Sequence, residues 1–391
     1  MTTNAPTSHA SNDATIRTGM DLLPRTIVDW FPLLPRTRPS CRALTARIDE
    51  IRDLAHSASH GPHDRRLALA AETHNKAALL LSDCGLTDLA YQLCWQQFDI
   101  FYAAAPLTGP EAKLALQPIV NLGRLLIRAG DGPRAYDVFQ NTYDAVRRAA
   151  PATIEGRHID FTDFVDDRSA RQDLCRFLWT VLLADGTRAL TTTGHWDKAL
   201  RLLEEHKGIG KRLFDGRQVA ILARCAAGDS DGALEMLGDS SYLDPWEHAV
   251  AGCLRTVALQ VGKSAPETAI VTMVEQYLHL RQTPGHPVFS TRLGLVTLDL
   301  AAGRDSRAER EVTAKIARDA AASNDAYVAR DVLSYASSRS SLSDADIETM
   351  NALVNASGLR GGRISTEIVD GLNRSVRASG FELSRLLNHS T

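Results

Sequence analysis

Long apolar stretches are missing from this 391-residue sequence. It contains no run of about eighteen apolar residues, so it predicts no transmembrane helix. Residues 1–20 also lack the apolar core of a secretory signal peptide, and they are rich in Thr, Ser, Asn and Ala, which is typical of disorder. We therefore expect a cytoplasmic protein that does not associate with membranes.

An excess of one charge sign is also missing. The formal net charge is -3, which excludes a global attraction to nucleic acid or anionic lipid, and we expect no direct nucleic-acid binding. Lysine is scarce, because only seven of the 44 basic residues are lysine and the rest are arginine. Arginine is suited to bidentate binding of phosphate or carboxylate. The alternative explanation is nucleotide bias in a genome rich in Arg and Ala codons.

The motifs of common catalytic sites are absent. The sequence has no GxSxG and no HExxH, and the segment 207–211 (KGIGK) lacks the spacing of a phosphate-binding loop, so it predicts a turn. Its six cysteines form no CxxC pair and lie in apolar helical patterns, which favours small buried residues in a reducing compartment. Catalysis is left open but not favoured, and no cofactor is predicted.

Two polar clusters resemble metal sites. His56, His60 and His63 have helical spacing, but Gly61 and Pro62 interrupt that helix, so we predict a solvated loop and no metal. The second cluster consists of four aspartates interleaved with two phenylalanines, and it lacks the spacing of a calcium loop. We predict an exposed acidic loop anchored by its aromatic side chains: Asp160, Phe161, Asp163, Phe164, Asp166 and Asp167.

A short duplication lies near the N-terminus. Residues 22–26 (LLPRT) recur as residues 33–37, and four prolines prevent one regular helix across the segment. Trp30 and Phe31 lie between the two copies. This arm either packs these two aromatic residues on the first helix pair or serves as a docking segment for a partner.

From about residue 42 the pattern becomes helical, with very short turns between helix-length segments. Five turn glycines are each followed five residues later by an alanine. Glycine ends a helix in a left-handed conformation, and a small alanine then allows the next helix to approach closely. The pairs are Gly85–Ala90, Gly130–Ala135, Gly194–Ala199, Gly228–Ala233 and Gly303–Ala308.

This pattern resembles the tetratricopeptide repeat (TPR). The best unit has Gly123 in its first helix, Gly130 at the turn, Ala135 in the second helix and Phe139 four residues later. Only the step from Ala199 to Ala233 equals the 34-residue repeat length, so the register is open over 151–180 and 245–290. The resemblance implies an all-α solenoid of antiparallel helix hairpins. We expect a flexible arm at 1–40, repeats at 41–340 and C-terminal capping helices at 341–391.

In the TPR family, first-helix residues line a concave groove. Alignment on the turn glycines and alanines places Glu72, Asp215 and six further polar residues there. These six are the candidates for ligand binding: Asn75, Gln117, Arg124, Arg128, Arg188 and Gln218. The resemblance thus implies an adaptor or regulatory protein that binds a protein or peptide segment, with a small acidic effector as the alternative ligand. Two other hypotheses are an effector-sensing regulator that acts on transcription through a partner, and a solenoid-scaffold enzyme or accessory protein of a specialised biosynthetic pathway.

Overall fold

The structure is a computed structural model that describes residues 22–263, 265–281, 285–303, 306–335, 342–359 and 361–388. The segment 1–20, for which disorder is predicted, lies outside the described residues. Most of the described chain is helical and almost none of it is strand, which confirms the all-α prediction. Within it, no helix is both long enough and apolar enough to cross a membrane.

The helices follow one another with short connections. They are α1 (Arg25–Trp30), α2 (Leu44–His60), α3 (His63–Asp83), α4 (Thr87–Tyr102), α5 (Gly109–Arg128), α6 (Gly132–Arg148), α7 (Arg168–Val181), α8 (Thr187–Thr191), α9 (Trp196–Glu205), α10 (Asp215–Ala226), α11 (Ser230–Gly238), α12 (Pro245–Val261), α13 (Glu267–His279), α14 (Pro287–Ala301), α15 (Ser306–Ser323), α16 (Ala326–Ser334), α17 (Asp344–Ser357) and α18 (Thr366–Asn388). A π-helical turn, Leu182–Gly186, joins α7 to α8.

The predicted turn glycines have the conformation that their role requires. All five have a φ angle between 72° and 83°. In four of the turns the residue after the glycine donates to the carbonyl five positions earlier, as Leu86 does to Leu81 and Asp131 to Leu126. This is the hydrogen bond that closes a Schellman turn. The alanines of the same four turns, at positions 90, 135, 199 and 233, are fully buried, and Ala308 is half-buried.

The insertion after α6 contains the only strands of the described residues, β1 (Pro151–Ile154) and β2 (Arg157–Asp160). They pair antiparallel across Glu155 and Gly156, both of which have positive φ, as a two-residue hairpin turn requires. The acidic loop that follows has exposed aspartates and two buried phenylalanines, Phe161 and Phe164, as predicted. The strands themselves were not predicted.

Successive helices pack on one another from α2 to α16, and the two ends of the series then meet. The helix α17 packs on α15 and α16, whereas α18 packs on α2, α3 and α4. A backbone hydrogen bond from Gly362 to Cys84 joins the segment before α18 to the end of α3. The early and late helices therefore share one contiguous hydrophobic core.

Candidate binding face and its polar network

The N-terminal segment crosses the molecule and contacts late helices. We define the arm as residues 22–43. One interpretation of the sequence placed its two aromatic residues on the first helix pair, but the helix that ends at Trp30 packs mainly elsewhere. Instead α1 packs on α14, the Trp30 ring lies 6.3 Å from the ring of Tyr335 beyond α16, and Phe31 is fully buried.

Gln218 on α10 binds the backbone of the arm in both directions. Its Oε1 accepts the N–H of Leu33 at 2.8 Å, and its Nε2 donates to the Leu33 carbonyl at 2.9 Å. The same Nε2 donates to the carbonyl of Leu213 at 2.7 Å. Gln218 is fully buried, and these bonds satisfy polar groups that would otherwise be costly to bury. The side-chain amide thus exchanges two hydrogen bonds with the backbone of one residue, as a paired residue of a neighbouring antiparallel strand would.

Charged side chains hold both copies of the duplicated motif. Arg36 of the second copy pairs with Asp215 at the start of α10. Thr26 of the first copy donates to Asp299 on α14 at 2.6 Å. The two copies differ in conformation, because the first runs into α1 and the second has no regular secondary structure. Their contacts differ as well, although their five residues are identical.

Polar contacts also fix the middle of the arm, where α1 ends, and its C-terminal end. Arg188 on α8 donates to the carbonyls of Asp29 and Trp30, at 3.1 and 3.5 Å, where α1 ends and its carbonyl groups need partners. Asp325 before α16 accepts the N–H of Cys41 at 3.1 Å, and the Cys41 carbonyl accepts the N–H of Ala326 at 2.9 Å. We name the residues that hold the arm the arm-binding face: Arg188, Asp215, Gln218, Asp299 and Asp325.

Only two of the six residues predicted for the groove, Arg188 and Gln218, make these contacts with the arm. Asn75 on α3 donates to Gln117 on α5 at 2.8 Å and accepts from Asn121 at 3.0 Å. Arg124 on α5 donates to Asp185 in the π-helical turn at 2.8 Å. These predicted residues therefore form a polar ladder that joins α3 to α5, and α5 to the π-helical turn after α7.

Arg128 belongs to a buried network around Asp83. The Asp83 carboxylate accepts from Arg47 at 2.6 Å, from Arg128 at 3.0 Å and from the Tyr327 hydroxyl at 2.5 Å. Asp83 and Arg47 have side chains only 3% and 8% exposed. Burial lowers the pKa of Arg47, but the charge and hydrogen bond of Asp83, together with Cys41 and Tyr327, more than offset this and raise it above the ordinary value. The network joins α2, α3, α5 and α16, and nothing in the sequence around Asp83 indicates it.

A second polar cluster, between α14 and α16, was also not predicted from the sequence. Arg292 donates to Asp331 at 2.7 Å, and Arg330 donates to the other oxygen of the same carboxylate at 2.6 Å. Burial raises the pKa of Asp331, but the two arginines lower it below its usual range. Arg292 and Arg330 lie 38 positions apart in the sequence, and no motif connects them.

The other candidates from the sequence have structural roles. The rings of His56 and His60 stack at 4.4 Å, and the described residues contain no group of three or more His, Cys, Asp or Glu side chains arranged to hold a metal ion. All six cysteines are free thiols, and only Cys175 is not fully buried. Burial raises the pKa of each, so the thiols are poor nucleophiles.

A surface recess between α12 and α13, of about 320 Å³, is lined in part by Asp244, His248 and His279. Asp244 pairs with Arg212, the His248 ring packs 5.2 Å from that of Tyr242, and His279 hydrogen-bonds the backbone. These polar groups already have structural partners, so the recess does not present an arrangement for acid–base catalysis.

In comparisons with protein-family models, with curated proteins and with solved structures, no match to this chain was found.

Proposed function

We propose that this chain is a TPR-like helical-repeat protein that binds an extended protein segment on its arm-binding face, as an adaptor or regulatory protein. The observation that carries the proposal is the paired hydrogen bonding of Gln218 to the Leu33 backbone. Backbone pairing provides affinity for an extended chain whatever its side chains are, and nearby contacts then add specificity. The four equivalent turns and the polar ladder support a solenoid whose first helices line this face.

The arm indicates the chemistry of the partner segment. Leu33 is buried, Pro35 favours extended backbone at Leu34, and Arg36 pairs with Asp215. A segment with an apolar residue, a proline and an arginine at this spacing would reproduce these contacts. We propose that such a segment of another protein competes with the arm for the same face.

The test uses a chain without residues 1–43 and a synthetic peptide with the sequence of residues 22–43. Circular dichroism first establishes that the shortened chain remains helical. We expect the peptide to bind and a scrambled peptide not to bind. Gln218→Leu should weaken binding about tenfold, because two hydrogen bonds of about 0.5–1.5 kcal/mol each are lost. The matched control is Gln172→Leu, at an exposed position on α7. Equal binding of both peptides to the folded chain would contradict the proposal.

A further inference from the structure

Three aromatic rings lie next to one another at the start of α10, α12 and α14, which pack side by side. Phe214 directly precedes α10, Trp246 lies in the first turn of α12, and Phe289 lies in the first turn of α14. The rings of Phe214 and Trp246 are 6.5 Å apart and inclined by 23°, and those of Trp246 and Phe289 meet edge to face at 6.0 Å. We name Phe214, Trp246 and Phe289 the aromatic shelf.

The shelf is open to solvent at the end formed by Phe214. Phe214 is 47% exposed, Trp246 is half-buried, and Phe289 is 7% exposed. Phe381 of α18 is 68% exposed, but no other aromatic ring stacks on it in the part of the chain that the structure describes. Aromatic side chains are enriched where proteins contact their partners, because a rigid ring buries a large apolar area. The shelf therefore has the chemistry of a contact surface.

The shelf is held in position by a buried carboxylate. Glu247, in the first turn of α12, is fully buried and accepts from the Arg212 guanidinium at 2.8 Å and from the N–H of Leu213 at 3.3 Å. The Arg212 guanidinium also lies 4.7 Å from the centre of the Phe214 ring. Residues 212–214 are thus fixed against the first turn of α12. A ligand would not need to order these rings on binding, which favours affinity.

The arm-binding face leads to the shelf. Gln218 binds Leu33 of the arm. Asp215, at the start of α10, pairs with Arg36, three positions later in the arm. The arm therefore runs toward the start of α10, and Phe214 is the next residue of the face in that direction. Three further residues of extended chain span about 10 Å, which is enough to cross the exposed rings.

The arm itself leaves the shelf uncovered. Residues 37–40 are exposed, and the N–H of Cys41 is held by Asp325, which precedes α16. Because the arm is joined to α2 within a few residues, it turns away from α10 after Arg36. A segment of another protein is not joined to α2, so it can continue from the arm-binding face onto the shelf.

We propose that the aromatic shelf binds an aromatic side chain of the partner segment, within three positions after the arginine that pairs with Asp215. This inference rests on the proposed function, because the segment must first occupy the arm-binding face. The partner segment then has an apolar residue, any residue, proline, arginine and, up to three positions later, an aromatic residue. The arm has Thr37, Arg38 and Pro39 at these last positions, so it matches only the first part of this pattern.

The test uses the chain without residues 1–43 and two peptides with the sequence of residues 22–39. One peptide carries Arg38→Phe and the other Arg38→Gly, so the two have the same charge and differ in a single side chain. We expect the peptide with Arg38→Phe to bind about tenfold more tightly in calorimetric titration, because its ring packs on the rings of the shelf.

A variant of the shelf shows where this ring binds. In Phe214→Ala the two peptides should bind with equal affinity, while circular dichroism should show the same helicity, because Phe214 is about half exposed. The matched control is Phe381→Ala, which removes an exposed ring from a helix that packs on α2, α3 and α4. It should keep the tenfold difference between the peptides.

The outcomes separate this inference from the proposed function. If both peptides bind equally and Gln218→Leu weakens both, the proposed function stands and the shelf does not bind the partner. If neither peptide binds, both proposals fail. A tenfold difference that persists in Phe214→Ala places the ring elsewhere and overturns the inference. Equal binding, together with a changed oligomeric state of Phe214→Ala in sedimentation, would show that the shelf is a contact between two copies of the chain.

Discussion

The turns between consecutive helices and the buried network around Asp83 hold helices together in different ways. We call this network, which consists of Arg47, Asp83, Arg128 and Tyr327, the junction. Each of the four equivalent turns uses a glycine with positive φ, a Schellman hydrogen bond and a fully buried alanine, all within about ten residues. The junction uses a buried ion pair and a hydroxyl, and Asp83 and Tyr327 are separated by 244 positions in the sequence. Turn formation is therefore local, whereas the junction forms only when the two ends of the helical series meet.

This difference also determines how much stability each region loses when one of its residues is substituted. A turn that loses its glycine is strained at one residue, and the helices on both sides keep their apolar contacts. A junction that loses one charge leaves its partner buried without compensation, which is much more costly. We therefore expect single substitutions at the junction to destabilise the protein more than single substitutions at a turn.

The largest effect is expected for Asp83→Ala. It leaves the Arg47 guanidinium buried without its carboxylate, and removal of one partner of a buried pair costs about 3–5 kcal/mol. Urea denaturation measures the free energy of unfolding. The control is Asp173→Ala, whose exposed carboxylate pairs with Arg176, and it should change stability by less than about 1 kcal/mol. The double variant Arg47→Met/Asp83→Leu should recover part of the loss, and no recovery would mean that burial of the charge is not the cause.

A smaller effect should appear in acid, through His74. This residue of α3 is 2% exposed and lies beside Gly380 of α18. Burial lowers its pKa from 6.5 to about 4, although the nearby Val376 backbone partly offsets the shift. Between these two values the unfolded chain binds more protons than the folded chain. The stability that His74 contributes is therefore complete above pH 6.5 and decreases toward pH 4, by on the order of 3 kcal/mol.

Urea denaturation between pH 7 and pH 4.5 tests this effect. His74→Leu removes the titrating group and should flatten the pH dependence, whereas His158→Leu, at an exposed position of β2, should not. An identical pH dependence in the natural chain and in His74→Leu would show that His74 does not titrate in this range.

The turns should respond more weakly and uniformly. Gly130→Ala and Gly228→Ala place a Cβ where no atom lies within 4 Å, so the only cost is the left-handed backbone, about 1–2 kcal/mol at each turn. Gly238→Ala also meets no neighbouring atom, but its φ is not positive, and it should be neutral or stabilising. Unequal losses at Gly130 and Gly228, measured by thermal unfolding, would show that the two turns are not equivalent.

The same contrast explains which features could be predicted from the sequence. The turns were predictable because glycine and alanine recur at a fixed spacing and both act locally. Gln218 and Arg188 were assigned to the groove through that register, and the structure brings both to the arm. The occupation of this face by the arm was not predictable, because the identical residues 22–26 and 33–37 adopt different conformations in different surroundings. The contacts of Asp83 with Tyr327 and of Arg292 with Asp331 join residues that are far apart in the sequence, and no local sequence pattern indicates such pairs.

The smallest effect on stability is expected for Arg124 and Arg128, two arginines that the sequence pattern assigned to the same groove. Arg124 and Arg128 lie one turn apart on α5, and their side chains are similarly exposed, 53% and 45%. Their acceptors differ, because the Asp185 side chain is 17% exposed and that of Asp83 is 3% exposed. Arg124→Gln should therefore cost less than about 0.5 kcal/mol and lose even that in high salt, as surface pairs do. Arg128→Gln should cost about 1 kcal/mol and depend less on salt, because its partner is shielded from water, although Arg47 and Tyr327 still satisfy that carboxylate. Urea denaturation at two salt concentrations compares them, and equal costs would mean that burial of the acceptor does not determine the strength of the pair.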